Sequence, residues 1–117
     1  MPTPRPGRPT RSSDSGRPIM ALLDLLGRRW TLRMLWELHD GPLGFAALQE
    51  RCDAVSPSVL SQRLRELRET QLVEATPDGR YRIGPAAADL GEILLALDAW
   101  SKRWARRLGS SRTGARR

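Results

Sequence analysis

The chain has 117 residues and a formal net charge of +7, a length that fits a single domain. Cys52 is its only cysteine, which excludes an intramolecular disulfide and fits a reducing, cytoplasmic environment. The opening residues lack the apolar run of a signal peptide, and no apolar run is long enough to cross a bilayer, so neither export nor membrane insertion is expected.

The positive charge is concentrated at the two ends of the chain. Residues 1–17 carry +3 and residues 102–117 carry +7, whereas residues 18–101 carry −3. Both ends are rich in Gly, Ser and Arg without periodicity, which predicts disordered basic arms over 1–17 and 109–117 and a folded domain over 18–108. Such arms commonly attract nucleic acid, although solubility or another anionic surface is an alternative.

Three short helices are predicted first. Pro18–Leu26 has an expected apolar face that consists of Ile19, Leu22, Leu23 and Leu26. The second helix is predicted over Trp30–His39 and is stopped by the Asp-Gly-Pro sequence that follows it. The third runs from about Gly44 to Cys52, with Phe45 and Leu48 directed inward.

The next segment, Ser56–Glu69, is the most informative. Ser56 suits the N-cap of a helix and Pro57 its first position. An inward stripe at helical spacing consists of Leu60, Leu64 and Leu67. The opposite face carries side chains of the types that hydrogen-bond phosphates and base edges, namely Ser58, Ser61, Gln62 and Arg65. An ordinary amphipathic surface helix would have the same pattern, so the neighbouring elements decide between the two interpretations.

A β-hairpin is predicted directly after this helix. Leu72–Ala75 forms the first strand and Pro77–Gly79 the turn. The return strand alternates basic and apolar side chains in the order Arg80, Tyr81, Arg82, Ile83. One face of this strand should therefore pack on the domain, and the other should be cationic.

A long last helix is predicted to open at Gly84-Pro85 and to end near Arg107. Its apolar stripe consists of Leu90, Ile93, Leu94, Leu97, Trp100, Trp104 and Leu108. At 1.5 Å per residue this helix is longer than a small core needs. We expect a second copy of the chain to cover the surplus apolar surface, as a two-fold dimer.

The order of elements predicts a mainly α winged helix-turn-helix with a small β-hairpin. A helix, a tight turn and a polar-faced second helix form the DNA-binding unit. A cationic hairpin directly after that unit favours a wing over an isolated structural hairpin. The expected ligand is double-stranded DNA.

Two separate motifs resemble the HxlR-type winged helix-turn-helix transcriptional regulators. The first lies in Gly27–Leu38 and continues through the Asp-Gly-Pro stop to Phe45 and Leu48. The second is Ser56–Leu67, and the hairpin positions Leu72, Val73 and Tyr81 also fit the family. The resemblance covers roughly residues 18–105.

The resemblance implies a homodimeric bacterial transcription factor. Ser56–Glu69 would enter the major groove of DNA, and the hairpin would reach the backbone or the minor groove. The dimer would form through the first and last helices. Its predicted interface consists of Leu22, Leu23, Leu94, Leu97, Trp100 and Trp104. A small-molecule effector pocket lined by tryptophans at that interface is an alternative to simple dimer packing.

Two features depart from the family pattern. Several members sense electrophiles or oxidants through a cysteine just before the first helix, where this chain has Arg17-Pro18. Cys52 lies elsewhere, so thiol sensing does not carry over, and we expect a small buried hydrophobe. The turn at Pro77–Gly79 is also shorter than usual, and a short wing would confine its two arginines to phosphate contacts.

The sequence therefore predicts a sequence-specific regulator that binds a palindromic operator as a homodimer. Base contacts are assigned to Gln62 and Arg65, with Ser58 and Ser61 assisting at the helix that Ser56 caps. Phosphate contacts are assigned to Arg63, Arg80 and Arg82.

No enzyme activity, cofactor or metal site is predicted. His39 has no partner at metal-ligand spacing, and no nucleophile–base pair or phosphate-cradling glycine loop is present. Two other functions stay open. One is a protein–protein adaptor that keeps the fold without specific DNA binding, which the −3 charge of residues 18–101 makes worth stating. The other is a chromosome-binding protein without sequence preference.

Overall fold

The computed structural model describes residues 3–10 and 16–111. Its elements are α1 (Pro18–Leu26), α2 (Thr31–Leu38), α3 (Phe45–Arg51), α4 (Pro57–Glu69), β1 (Val73–Ala75), β2 (Tyr81–Ile83), a 3₁₀ turn (Pro85–Ala87) and α5 (Leu90–Ser111). The chain divides into two compact units, residues 1–87 and residues 88–117. The first unit contains α1 to α4 and the hairpin, and the second contains α5.

The core of the first unit forms where α2, α3 and α4 meet the hairpin. Its fully buried apolar side chains include Met34, Leu35, Leu38, Leu48, Leu60, Leu67 and Val73. The predicted leucine stripe of α4 is confirmed, because Leu60, Leu64 and Leu67 are all buried. Helical spacing placed these leucines on one face, and burial of that face holds α4 in position.

The predicted apolar face of α1 and its buried face coincide only in part. Ala21 and Leu25 are buried, whereas Ile19 and Leu23 are 50% and 53% exposed. Apolar residues surround α1 on almost every side, so periodicity alone does not select the buried face. In the observed orientation of α1, the Asp24 carboxylate forms an ion pair with the Arg28 guanidinium at 3.9 Å.

The hairpin is antiparallel, and Val73 pairs with Ile83, Glu74 with Arg82 and Ala75 with Tyr81. The chain before α3 adds a third, one-residue strand segment, since Leu43 and Tyr81 exchange backbone hydrogen bonds of 2.9 and 2.8 Å. This bridge attaches the hairpin to the start of the helix-turn-helix. The sequence pattern did not predict it.

The last helix starts later than predicted. Residues Pro85–Ala87 form a 3₁₀ turn, and α5 begins at Leu90. Its apolar stripe is largely exposed, with Leu97, Trp100 and Trp104 each about half exposed, while Leu94 is buried. The rings of Trp100 and Trp104 stack with centroids 6.0 Å apart. The helix continues to Ser111, into the segment predicted as a basic tail, and residues 112–117 lie outside the described part.

The described part of the predicted N-terminal arm contacts the end of α4. The Thr3 hydroxyl donates to the Glu69 carboxylate at the end of α4, and Pro4 is buried. The Gly7 amide donates to the Gly16 carbonyl over 2.8 Å. Residues 11–15, which belong to the same predicted arm, lie outside the described residues.

Over residues 3–10 and 16–111, no helix combines the length and the apolar character that crossing a bilayer requires.

Candidate DNA-binding surface

The turn between α3 and α4 is held by backbone geometry and by two side chains. Asp53 and Ala54 both adopt left-handed φ angles, 57° and 59°, which reverses the chain within a few residues. The Gln49 amide donates to the Val55 carbonyl over 2.8 Å. Arg33 of α2 donates to the Arg51 carbonyl and to the Asp53 carboxylate at 2.6 and 3.1 Å. These contacts fix the angle at which α4 leaves α3.

The start of α4 follows the sequence prediction. The Ser56 hydroxyl accepts a hydrogen bond from the Val59 amide at 3.3 Å, and Pro57 takes the first helical position. The cap satisfies one of the backbone donors that the start of a helix leaves without a partner. Ser58 and Ser61 lie on the outer side of the first turns and are exposed.

A groove of about 520 Å³ runs between α4, the start of α3 and the hairpin. Its lining residues are Phe45, Ser61, Leu64, Arg65, Arg68, Glu69 and Tyr81. Arg65 and Arg68 are both exposed there. Arg68 was missing from the sequence-based site, although it lies three residues after Arg65 and so on the same side of the helix.

A buried charge cluster lies behind this exposed face. The carboxylate of Glu66 is 2% exposed and accepts hydrogen bonds from the Arg28 guanidinium at 2.6 Å, the Gln62 amide at 2.9 Å and Arg63 at 3.0 Å. Arg63 also donates to the Arg29 carbonyl over 2.9 Å. Two predicted DNA contacts, Gln62 and Arg63, are therefore hydrogen-bonded within the domain. Sequence reasoning assigned no role to Glu66.

The cluster keeps Glu66 ionised. Burial by itself would raise the pKa of Glu66, but the hydrogen bonds from Gln62 and Arg28 and the charges of Arg28 and Arg63 outweigh burial and lower this pKa below its ordinary value. A buried carboxylate with this many donors is an acceptor only. Each donor that faces it therefore has a fixed orientation.

The two wing arginines are ion-paired within the hairpin. Arg80 donates to Asp78 over 2.9 Å, and Arg82 donates to Glu74 across the strands over 2.6 Å. The Thr76 hydroxyl and then Arg80 lower the pKa of Asp78. The outer face of the hairpin was expected to be cationic, but each arginine there has a carboxylate partner. All four charged side chains remain accessible, which leaves these pairs open to exchange with phosphates.

Cys52 is fully buried at the end of α3, as predicted. Burial raises the pKa of its thiol. Within residues 3–10 and 16–111, no group of three or more His, Cys, Asp or Glu side chains is suited to hold a metal ion.

The fold places a tight turn and a capped, polar-faced helix next to a short β-hairpin, which defines the winged helix-turn-helix class of DNA-binding proteins. The family model described as HxlR-like helix-turn-helix matches residues 25–108. The chain belongs to this family, and it is a transcriptional regulator with a helix-turn-helix DNA-binding domain of HxlR type.

Relatives and solved structures agree. The transcriptional regulator YodB of Bacillus subtilis is 30% identical over 83 residues, which cover 69% of this chain and 74% of YodB. The structure of quinone-bound YodB superposes with a TM-score of 0.65 at 27% identity, over 73% of this chain and 94% of that one. A protein of Enterococcus faecalis V583 assigned to the MarR family has a TM-score of 0.68 at 23% identity, over 86% of this chain and 97% of that one, and supports the fold alone.

Proposed function

We propose that this regulator binds a palindromic operator as a homodimer and reads its sequence with α4. The observation that carries the proposal is the open polar face of α4, where Ser58, Ser61, Arg65 and Arg68 are all exposed. The opposite face is buried in the core, so the helix presents these side chains on a rigid support. A helix of this kind fits the major groove of B-DNA.

The roles within the site follow from the contacts of each side chain. Arg65 is the proposed base reader, because it is exposed and has five N–H donors in a planar fork. Ser58 and Ser61 assist at the first turns, and Arg68 extends the same surface toward the hairpin. Gln62 and Arg63 bond to Glu66, which favours a positioning function for both in addition to their predicted DNA contacts.

The wing arginines are proposed to contact phosphates. Arg80 and Arg82 are each about half exposed and are paired with exposed or half-exposed carboxylates. Exposed pairs of this kind contribute little free energy, so a phosphate can replace the carboxylate at small cost.

The homodimer is proposed to form through α5, with α1 contributing. Leu97, Trp100 and Trp104 are exposed on α5, and Leu23 is exposed on α1. Leu22 is partly buried. Sedimentation equilibrium is expected to give a dimer, and Trp100→Ser with Trp104→Ser should shift it toward monomer, whereas Lys102→Ser, on the same helix, should not.

Selection of bound sequences from a random DNA pool tests the proposed function. A dimer should return a palindrome. Arg65→Ala is expected to lower affinity for the selected duplex by about 1–3 kcal/mol and to lower affinity for scrambled DNA much less. Arg29→Ala is the matched control, since it removes the same charge from the same domain. Equal losses on both duplexes would make Arg65 a phosphate contact, and no enrichment at all would favour the adaptor.

The basic arms are proposed to supply attraction without sequence preference. Replacing the four arginines of residues 1–17 by glutamine should flatten the salt dependence of binding and leave the selected sequence unchanged. The substitution retains the contact between Thr3 and Glu69. An unchanged salt slope would show that this arm does not approach the DNA.

A small-molecule effector is a second proposal, limited to the exposed tryptophans of α5. The stacked rings of Trp100 and Trp104 offer a planar apolar surface, and the related YodB has been solved with a bound quinone. Tryptophan fluorescence titrated with a quinone tests it, with the Trp100→Ser, Trp104→Ser variant as control. Quenching that is equal in both proteins would reject this site.

A further inference from the structure

We infer that Glu66, although it is buried behind the exposed face, determines how Arg65 reads DNA. Glu66 acts as a positioning residue through Gln62. This inference rests on the proposed function of Arg65 and goes beyond it, because it identifies what orients the reading side chain.

The first step is the direction of the hydrogen-bond chain. The Gln62 amide nitrogen donates to Glu66 Oε2 over 2.9 Å. An ionised carboxylate has no proton to donate, so the nitrogen of Gln62 must face Glu66 and its carbonyl oxygen must face away. That oxygen accepts a hydrogen bond from Arg65. The charge of Glu66 thus fixes which end of Gln62 is presented to Arg65.

The second step is what holds Glu66 itself. Arg28, in the segment between α1 and α2, approaches the same carboxylate oxygen at 2.6 Å, and the two side chains are 6% and 2% exposed. Arg63 occupies the other oxygen at 3.0 Å. With donors on both oxygens, the carboxylate has little freedom to rotate. The orientation of Gln62 is therefore set by the interior of the domain rather than by solvent.

The third step concerns the base that Arg65 would contact. One guanidinium N–H is used on Gln62, and the remaining donors suffice for the two acceptors, O6 and N7, that guanine presents in the major groove. The Gln62 amide uses one of its two N–H donors on Glu66 and its oxygen on Arg65, so a bidentate contact with adenine would compete with both of these bonds. The arrangement favours guanine at the position that Arg65 reads, with Gln62 as the side chain that orients Arg65.

The test compares Glu66→Gln with Glu50→Gln. Both substitutions remove one negative charge from the helix-turn-helix, but Glu50 is exposed on α3 and lies outside both the cluster and the lining of the groove. A neutral amide at position 66 both donates and accepts, so Gln62 can turn over and present its nitrogen to Arg65. We expect Glu66→Gln to reduce the preference for guanine over other bases at the Arg65 position by about fivefold or more, since a bidentate pair accounts for about that discrimination or more. Scrambled DNA should bind at least as tightly as before. Glu50→Gln should retain the preference.

A purely structural role for Glu66 predicts a different result. Partial unfolding lowers affinity for every duplex by the same factor and leaves base preference intact, and that outcome would overturn the inference. Because Glu66→Gln disturbs a buried ion pair, Gln62→Met provides a second test that leaves Arg28 and Glu66 in contact. Loss of guanine preference in Gln62→Met, with unchanged thermal stability, would support the inference. Retained preference would overturn it. The proposed function fails separately, if the wild-type protein itself shows no sequence preference.

Discussion

Breaking the buried ion pair between Arg28 and Glu66 should have a large and pH-dependent effect on folding. The two side chains are 6% and 2% exposed and are joined by a 2.6 Å contact. Removing one partner of such a pair leaves an uncompensated buried charge, which destabilises a protein by about 3–5 kcal/mol. Gln62 and Arg63 still donate to Glu66 after Arg28→Met. We therefore expect the lower end, about 3 kcal/mol, or a melting temperature lower by roughly 12–24 °C for a domain of this size.

The pH dependence follows from the pKa of Glu66. In the wild-type protein this pKa is lowered, so its stabilising contribution is present above the unfolded-state pKa, about 4.3, and is lost as the pH falls through the lower folded-state pKa. Without Arg28 the buried carboxylate should have a raised pKa. As the pH falls through that raised pKa, Glu66 of the variant is protonated, and the uncompensated buried charge disappears. The difference in unfolding free energy should therefore be greatest at neutral pH and should shrink on acidification.

Urea denaturation followed by far-ultraviolet circular dichroism measures the difference in unfolding free energy between the wild-type protein and Arg28→Met. Both proteins are compared at one concentration, because a dimer would couple association to folding. Arg29→Met is the matched control, since Arg29 is exposed over Trp30, and it should change stability by about 1 kcal/mol or less. Adding Glu66→Met to Arg28→Met should restore most of the loss, because no lone charge then remains buried. A loss below about 1 kcal/mol, or a loss independent of pH, would refute the assignment of a compensated buried pair.

Three further substitutions or reactions test the local geometry. Gln71, two residues after the end of α4, has a left-handed φ of 65°, so Gln71→Gly should raise the unfolding free energy by about 0.5–1 kcal/mol, and a decrease would contradict the strain. A Cβ on Gly84 would lie 2.8 Å from the Gln71 carbonyl oxygen, so Gly84→Ala should destabilise the domain by about 1–3 kcal/mol, and unchanged stability would mean that the hairpin shifts freely. Cys52 is buried with a raised pKa, so a thiol reagent should modify it only as fast as the domain opens. Rapid modification of the folded protein would place the thiol at the surface.

Local signals in the sequence predicted α4 and the hairpin well. The N-cap Ser56, the proline after it and the leucines of α4 each act within one or two turns, and each is found in the expected place. The hairpin turn likewise depends on neighbouring residues. Features of this kind can be predicted from the sequence, because the residues that cause them lie close in the chain to the structure they produce.

Features that depend on distant partners were not predictable. Glu66 and Arg28 are 38 positions apart. Nothing in the sequence near either residue indicates that the two side chains form a buried ion pair. The bridge between Leu43 and Tyr81 spans a similar separation. The buried residues of α1 were not predictable for a related reason, since its apolar residues lie on most sides and packing with the rest of the domain determines which of them are buried. Gln62 and Arg63 were both predicted as DNA contacts, although both bond inward to Glu66.

The inward bonds of Gln62 and Arg63 change how charge is distributed on the proposed DNA surface. Arg63 bonds to Glu66, Arg80 to Asp78 and Arg82 to Glu74, so each of these cations already has an anion. Among the residues that the structure describes, neither Arg65 nor Arg68 forms an ion pair with a carboxylate. Both side chains line the groove beside α4. DNA phosphates must displace Asp78 and Glu74 to engage the wing, and that exchange of one anion for another yields little net free energy. Arg65 and Arg68 make no such exchange, so contacts at α4 should dominate discrimination between sequences. The wing should contribute a smaller affinity that weakens as salt rises.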